Sequence, residues 1–230
     1  MLPIVDTHTI NNFLTEEEVQ VILDEYKVAV EAYGNAPFYR DGILQNYTNG
    51  IIYPVNNVSK YVPEYRKSIV ILESKIKKHF GPDIAIGTCH ILQSFQPYKC
   101  HTDAEYGQAG VNDKHYGAYT FVIPLETVDS YTIVFNETFD KGKLIDEWLQ
   151  ENPNRPKKNT ITDEIYNKHL SAEYREYMRY LSIDTIFPWT KGACLAMSRY
   201  KFHGSDNFPL KIPSKLGIIC WTVFRYGPKS

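Results

Sequence analysis

Cysteine is scarce in this 230-residue chain, and its spacing excludes the usual cysteine-based sites. The chain has four Cys, and no two of them form a Cys-x-x-Cys pair of the kind that binds zinc or exchanges disulfides. Four widely separated cysteines are also too few for a disulfide framework. We therefore predict reduced, mostly buried thiols in a cytoplasmic protein.

Long apolar runs and a large net charge are missing as well. No apolar stretch approaches the roughly 20 residues that a membrane-spanning helix needs. The first residues lack the basic-then-apolar order of a signal peptide. The formal net charge is -2, which gives no general attraction for nucleic acid or for an anionic membrane. We expect neither of these as a partner, and the sequence gives no oligomeric state.

The composition that remains is that of an ordinary globular protein. Hydrophobic residues make up 43% of the chain and charged residues 23%, which is far from the composition of disordered segments. A length of 230 residues suits one domain with a sizeable core. We predict a single domain over residues 1–230.

Helices are predicted in the first third of the chain. Thr15 with Glu18 three residues later forms a capping box, and apolar residues then recur at helical spacing until Gly34. A second helix is predicted from Pro63 to about Phe80, where Gly81 and a proline end it. Residues 1–83 are therefore expected to form a helical N-terminal support.

Short segments rich in β-branched and aromatic residues follow from Ile84 onward. The predicted strands are residues 86–96, 118–126, 131–136, 192–200 and 216–226. Helices do not alternate with them, which favours antiparallel pairing over a parallel sheet. The prediction is a mainly β fold with flanking helices, a double-stranded β-helix (jelly roll) over residues 84–226.

Residues 137–188 interrupt the β pattern. A polar linker with two prolines precedes a run in which Tyr166, Leu170, Tyr174, Tyr177 and Leu181 recur at helical spacing. We predict a helical insertion. It either covers the mouth of the β-helix as a lid or packs on its outer face as a brace.

The segment around His101 carries the chemistry. A β run ends at Pro97, and His101 and Asp103 follow as His-x-Asp, the only His-x-Asp or His-x-Glu in the chain. On an extended chain residues i and i+2 point to the same side, so the imidazole and the carboxylate can meet one cation. Two histidines and one carboxylate on one face of a metal leave open positions, as in non-haem Fe(II) oxygenases.

A second histidine for such a site is found far downstream. The segment that begins at Gly192 reads as a strand that ends at His203, and Lys215 opens the strand after it. Antiparallel pairing could bring the Lys215 ammonium near the metal, where it would hold a dicarboxylate.

These pieces together resemble the Fe(II)/2-oxoglutarate-dependent dioxygenase superfamily, and its prolyl-hydroxylase-like and phytanoyl-CoA-hydroxylase-like branches most of all. The resemblance rests on His-Thr-Asp103, on the later Lys-Phe-His203-Gly-Ser, and on the basic residue that opens the next strand. It covers residues 11–226 without the insertion. It implies Fe(II) held by His101, Asp103 and His203, with 2-oxoglutarate and O2 as co-substrates and an unidentified small molecule or protein side chain as the substrate.

The co-substrate residues depart from the family pattern. The family most often holds the far carboxylate of 2-oxoglutarate with Arg in Arg-x-Ser, whereas this chain has Lys215 and Gly217. Lys211 and Arg225 compete with Lys215 for the role of anchor. Gln93, on the strand that leads to His101, is a further candidate for binding the co-substrate.

Other assignments stay open at this level. His90, His115 and His169 could each be a ligand, although a lone histidine is more often a core or surface residue. A cupin-type metal enzyme that does not use 2-oxoglutarate would have the same fold and the same three ligands. A degenerate oxygenase fold that only binds a partner is the third hypothesis.

Overall fold

The computed structural model describes most of the chain, namely residues 5–33, 39–40, 43–44, 50–54, 66–97, 100–104, 117–139, 144–170 and 177–224. Fifteen elements lie in these residues: β1 (His8–Ile10), α1 (Glu16–Tyr33), β2 (Tyr39–Arg40), β3 (Ile43–Leu44), β4 (Gly50–Pro54), α2 (Arg66–Phe80), β5 (Ile84–Ser94), β6 (Gly117–Pro124), β7 (Tyr131–Thr138), α3 (Ile145–Glu151), α4 (Asp163–His169), β8 (Ile183–Pro188), β9 (Cys194–Ser198), β10 (Lys201–Ser205) and β11 (Lys215–Phe224). Single 3-10 turns lie at Met178–Tyr180 and Phe208–Leu210.

The strands form a larger and a smaller sheet. The larger sheet has six strands in the order β1-β9-β6-β11-β5-β4, and the smaller has three in the order β10-β7-β8. Within each sheet, every pair of neighbouring strands is antiparallel. The predicted mainly β architecture with flanking helices is confirmed.

Helix α1 starts where the capping box predicts. The backbone N–H of Thr15 donates to the Glu18 carboxylate at 2.8 Å, and the Glu18 N–H donates back to the Thr15 hydroxyl at 3.2 Å. The helix buries Val19 and Ile22 completely, in the same core cluster as Leu72 of α2. Both helices thereby cover the outer face of the larger sheet, and Pro63, where α2 was predicted to start, lies outside the described residues.

The first 83 residues also contribute strands that the sequence did not reveal. β1 pairs with β9 at one edge of the larger sheet, and β4 pairs with β5 at the other. Both are short and lack apolar alternation. Their structure comes from pairing with strands far away in sequence, which local pattern does not report.

The segment predicted as one strand from Gly192 to His203 is two strands in different sheets. β9 belongs to the larger sheet and ends at Ser198, and β10 begins at Lys201 in the smaller sheet. The Ser198 hydroxyl accepts a hydrogen bond from the backbone N–H of Tyr200 at 3.4 Å, so a local turn interrupts the ladder. The chain therefore crosses between the sheets immediately before His203.

The insertion differs from its prediction in two ways. The tyrosine run does not continue one helix, because α4 ends at His169 and Leu170 caps it in an extended conformation. Residues 183–188 form β8, which pairs with β7 and closes the smaller sheet. Tyr174 lies outside the described residues.

The described helices of the insertion pack against the smaller sheet. α3 and α4 share an apolar cluster with Ile133 and Phe135 of β7 and with Phe202 of β10. Ile133 and Phe135 flank Val134 on β7, and Val134, the register partner of His203, packs instead with Val122 and Leu195 of the larger sheet. Successive strand residues point to opposite faces. The cluster thus lies on the outer face of the smaller sheet, the face that points away from the His203 side chain.

The four cysteines are buried thiols that form no disulfide, as predicted. Burial raises the pKa of the Cys89, Cys100 and Cys194 thiols, which keeps them protonated and unreactive. In the described part of the chain, no helix combines the length and the apolar character needed to cross a membrane.

Candidate metal centre

The backbone fixes two of the three predicted ligands next to each other. The His101 N–H donates to the His203 carbonyl at 3.0 Å, and the His203 N–H donates to the His101 carbonyl at 2.9 Å. His101 also forms a bridge to Leu144 on its other side. His101 thus extends the smaller sheet beyond β10, and the two histidines form a cross-strand pair despite their separation in sequence.

The three side chains converge. One ligand atom from each of His101, Asp103 and His203 lies within 4.8 Å of the other two. The Nε2 atom of His101 is 3.6 Å from Asp103 Oδ1, and the Nε2 atom of His203 is 3.4 Å from Asp103 Oδ2. Both imidazoles therefore point their Nε2 atoms at the same carboxylate.

Asp103 is held from several directions. Its Oδ2 atom accepts a hydrogen bond from the Thr120 hydroxyl at 2.7 Å. Its backbone N–H donates to the Arg199 carbonyl at 2.9 Å, and the Arg199 guanidinium donates to the Asp103 carbonyl at 2.8 Å. Burial on its own would raise the pKa of Asp103, but the nearby His203 and His101 and the Thr120 hydrogen bond outweigh burial and hold this pKa well below its usual range. The carboxylate is ionised, the form that binds a metal.

His203 is held in the neutral form that binds metal. Burial lowers its pKa to about 4, although the Asp103 charge works against this. Its Nδ1 atom lies 3.1 Å from the Lys201 carbonyl. A carbonyl only accepts hydrogen bonds, so Nδ1 carries the proton and Nε2 is free to bind a metal. This is the usual orientation of a metal-binding histidine.

The donor set fits a non-haem Fe(II) site. Two neutral imidazoles and one carboxylate on one side of a cation leave open positions for other ligands. Among the described residues, no fourth His, Cys, Asp or Glu completes this group.

A cavity of about 100 Å³ opens beside the three side chains. Its volume is several times the ~15 Å³ that one ordered water needs in a comparable measure. The lining is largely apolar, with a few hydroxyl and imidazole groups, and includes Lys215 and Ser94. The structure therefore brings four of the five predicted site residues, His101, Asp103, His203 and Lys215, into one cavity.

Lys215 is buried beneath two aromatic rings. Its side chain is among the fully buried ones, and its Nζ atom lies 4.2 Å from the Trp189 ring centre and 4.7 Å from that of Phe208. The Nζ atom donates a hydrogen bond to the Ser130 hydroxyl at 2.9 Å. Burial lowers the pKa of Lys215 to about 7, and the nearby Asp206 charge works against this shift.

The packing around Lys215 explains why Gly217 stands where the family pattern has serine. A Cβ atom at Gly217 would lie 2.6 Å from Cζ2 of Trp189 and 3.2 Å from the Ile123 carbonyl oxygen. The indole that packs under the Lys215 ammonium thus occupies the space of a side chain at position 217.

The structure does not bring Gln93 to the cavity. Its neighbours Leu92 and Ser94 both line the cavity, and they occupy alternate positions of β5. Residues i and i+2 of a strand share a face, so the Gln93 side chain points to the other face of the sheet.

The other candidates that the structure describes do not belong to the ligand group. His90 lines the cavity, with its ring 4.9 Å from that of Trp221, but does not belong to the ligand group. His169 packs against Tyr131, and Lys211 lies 3.3 Å from the Asp129 carboxylate. His115 and Arg225 lie outside the described residues.

No protein-family model and no curated protein matches this sequence. Solved structures do match. The epimerase SnoN, in complex with Fe3+, alpha-ketoglutarate and nogalamycin RO, superposes with a TM-score of 0.57 at 10% identity, over 96% of this chain and 81% of SnoN. HygX from Streptomyces hygroscopicus, with nickel and 2-oxoglutarate bound, gives 0.56 at 12% identity, over 95% of this chain and 82% of HygX.

A viral collagen prolyl hydroxylase from Paramecium bursaria Chlorella virus-1 gives a TM-score of 0.50 at 11% identity, over 95% of each chain. The chain therefore has the double-stranded β-helix fold of the Fe(II)/2-oxoglutarate oxygenases. The resemblance predicted from the sequence is confirmed at the level of the fold.

Sequence reasoning missed several groups around the site. Trp189, Ser130 and Asp206 surround Lys215 but come from three separate loops at the ends of strands. Thr120 reaches Asp103 from β6. Only the alternation of β6, which places Thr120 and Val122 on one face, was a signal in the sequence.

Proposed function

We propose that this protein is a non-haem Fe(II)- and 2-oxoglutarate-dependent dioxygenase that hydroxylates a small molecule or a protein side chain and releases succinate and CO2. One observation carries the proposal: the His101, Asp103 and His203 side chains and the buried Lys215 ammonium line the same cavity. A metal-binding group alone would suit many activities. A cation beside it adds a site for an anionic co-substrate.

In this proposal His101, Asp103 and His203 hold Fe(II) through two Nε2 atoms and a carboxylate oxygen. A bound Fe(II) would supply the oxidising chemistry, in which one oxygen atom of O2 would enter succinate as 2-oxoglutarate loses CO2 and the other would enter the substrate. The protein keeps two of the donors in their ligating forms, since Asp103 is ionised and His203 is neutral with its proton on Nδ1.

Lys215 would bind the far carboxylate of 2-oxoglutarate. An ammonium has three N–H donors, and the hydrogen bond to Ser130 uses one, so two are available to a ligand. Ser94 is the register partner of Lys215 on β5 and also lines the cavity. Its hydroxyl is placed to replace the one that Gly217 does not provide.

The apolar lining supports the same chemistry. Leu92, Val122 and Ile219 line the cavity together with Trp221. Side chains of this kind exclude water, which strengthens the charge interactions of Lys215 and Asp103 and protects reactive species from side reactions.

Metal binding and co-substrate turnover test the proposal together. Purified protein should bind one Fe(II) per chain, and the loaded protein should form succinate from 2-oxoglutarate slowly even without substrate. His101→Ala and His203→Ala should each lose both properties. His79→Ala is the matched control, because His79 is exposed on α2 and should leave both unchanged.

The three hypotheses predict different results in this assay. Stoichiometric metal without any binding or turnover of 2-oxoglutarate would favour a cupin-type metal enzyme. No turnover of 2-oxoglutarate by the metal-loaded protein, together with no effect of removing the metal, would favour a partner-binding protein. Either result would overturn the proposed function.

A further inference from the structure

A chain of buried polar groups lies behind Lys215. The Lys215 Nζ atom donates to the Ser130 hydroxyl at 2.9 Å, and that hydroxyl donates to Oδ1 of Asp206 at 2.6 Å. All three residues are buried, and Asp206 is completely so. We call Lys215, Ser130 and Asp206 the lysine relay.

The direction of these hydrogen bonds is fixed by their chemistry. A lysine ammonium only donates, and an ionised carboxylate only accepts. The single hydroxyl proton of Ser130 must therefore point to Asp206, while its oxygen accepts from Lys215. Both are hydrogen bonds to charged groups, which are the stronger kind.

The backbone holds the relay rigidly. The N–H of Asp206 donates to the Tyr131 carbonyl at 3.1 Å, and the Ser130 carbonyl accepts from the N–H of Trp189 at 2.9 Å. The second oxygen of Asp206, Oδ2, accepts no hydrogen bond from the described residues. This oxygen has an ion pair with the partly exposed Lys211 at 3.7 Å. Burying a carboxylate with one hydrogen bond is costly, and its position behind Lys215 points to a use for the charge.

We propose that Asp206 is a positioning residue that acts through Ser130 to orient the Lys215 ammonium into the cavity and to keep it charged for the far carboxylate of 2-oxoglutarate. The inference rests on the proposed function, because it takes Lys215 as the anchor. It adds a residue for which the sequence offered no role.

The other charged groups nearby are placed to contribute less. Lys211 lies 3.7 Å from Oδ2 of Asp206 and 3.3 Å from Asp129, and both Lys211 and Asp129 reach solvent. Their charges are screened by water. His169 of α4 faces Asp206 and Lys211, and the Glu126 carboxylate accepts from the backbone N–H of Leu216. Asp206 is the charge that opposes the effect of burial on the Lys215 pKa.

Binding of 2-oxoglutarate as a function of pH tests the inference. The protein is loaded with Mn(II), and its affinity for 2-oxoglutarate is measured by calorimetry between pH 6.5 and pH 8.5, a range chosen to span the pKa of about 7 for Lys215. Asp206→Asn keeps the shape and removes the charge. The variant should bind about tenfold more weakly at pH 8. This pH lies above the Lys215 pKa, so lowering that pKa by one unit reduces the charged fraction of Lys215 about tenfold. Its affinity should recover as the pH falls.

Asp129→Asn is the matched control, since it removes the exposed carboxylate that pairs with Lys211 and keeps the Ser130 hydroxyl and Asp206. It should bind like the wild type at every pH. Ser130→Ala interrupts the relay from its centre and should reproduce the Asp206→Asn profile, which keeps the test usable if Asp206→Asn does not fold. Affinity for Mn(II) should be unchanged in all three variants.

The possible failures are distinct. A wild-type protein that binds Mn(II) but not 2-oxoglutarate would overturn the proposed function and this inference with it. Wild-type binding that is lost in Lys215→Ala, with a wild-type pH profile in both Asp206→Asn and Ser130→Ala, would overturn the inference alone. An equal loss in Asp129→Asn would also overturn it, because general electrostatics would then explain the effect.

Discussion

The charge on Lys215 should be visible in the stability of the protein without any ligand. Lys215 is fully buried, and burial lowers its pKa from 10.5 to about 7. Between these two pH values the unfolded chain binds a proton at this lysine that the folded chain has released. The free energy of unfolding therefore rises with pH across this range, and this increase is lost as the pH falls toward 7.

The magnitude follows from one proton. Each pH unit between the folded and unfolded values contributes about 1.4 kcal/mol, so the effect amounts to roughly 5 kcal/mol over the full range. In Lys215→Met a side chain of similar length has no charge, and this dependence disappears. The difference in unfolding free energy, wild type minus variant, should increase by about 2–3 kcal/mol between pH 7.5 and pH 9.5.

Urea unfolding of both proteins at a series of pH values, with a chelator present, measures this difference. Removing the Lys215 ammonium also removes a hydrogen-bond partner of Ser130. That cost does not change with pH, so it does not affect how the difference in unfolding free energy changes with pH. Other groups that titrate in this range are common to both proteins and cancel. A difference that stays flat from pH 7.5 to pH 9.5 would refute the reasoning, because Lys215 would then be as fully charged in the folded protein as in the unfolded chain.

Three further predictions concern the site. His101→Ala should abolish Fe(II) binding while its thermal unfolding stays within a few degrees of the wild type, as a calorimetric scan would show; retained stoichiometric iron would refute the assignment. Gly217→Ser should destabilise the protein by about 1–3 kcal/mol in urea unfolding, because the new side chain meets Trp189, and a variant of wild-type stability would contradict this packing. Thr120→Val removes a hydrogen bond that lowers the Asp103 pKa, so metal affinity should begin to fall at a higher pH than in the wild type, by about tenfold at the acid end. Identical acid profiles of metal binding would argue against this role.

The convergence of His101, Asp103 and His203 could be predicted from the sequence, because metal-binding chemistry restricts the residues. A histidine and a carboxylate at positions i and i+2 share a face of any extended chain, so the sequence predicts that His101 and Asp103 can bind the same metal ion. His203 could be added because the resemblance supplied an order of motifs. The sequence did not show that its strand lies in the other sheet from β9, since one turn at Arg199 and Tyr200 decides this and neither residue is a typical turn former.

The surroundings of Lys215 could not be predicted in the same way. Ser130 precedes β7, Trp189 follows β8 and Asp206 follows β10, so their proximity depends on how three strand ends meet. Each is an ordinary residue in its local sequence. Gly217 was read as a missing hydroxyl, and its cause, the space taken by the Trp189 ring, is a property of the packed core. The edge strands β1 and β4 were missed for the same reason, since pairing over long sequence distances forms them.

The crossing of the chain between β9 and β10 has a consequence for the whole fold. Asp103 is bound to Thr120 of the larger sheet, whereas His203 belongs to the smaller sheet, and His101 pairs with it. A metal held by these three side chains is therefore a cross-link between the two sheets. Separation of the two sheets near His203 would pull the ligands apart and release the ion. The rate of metal loss should therefore report how often the sheets separate there.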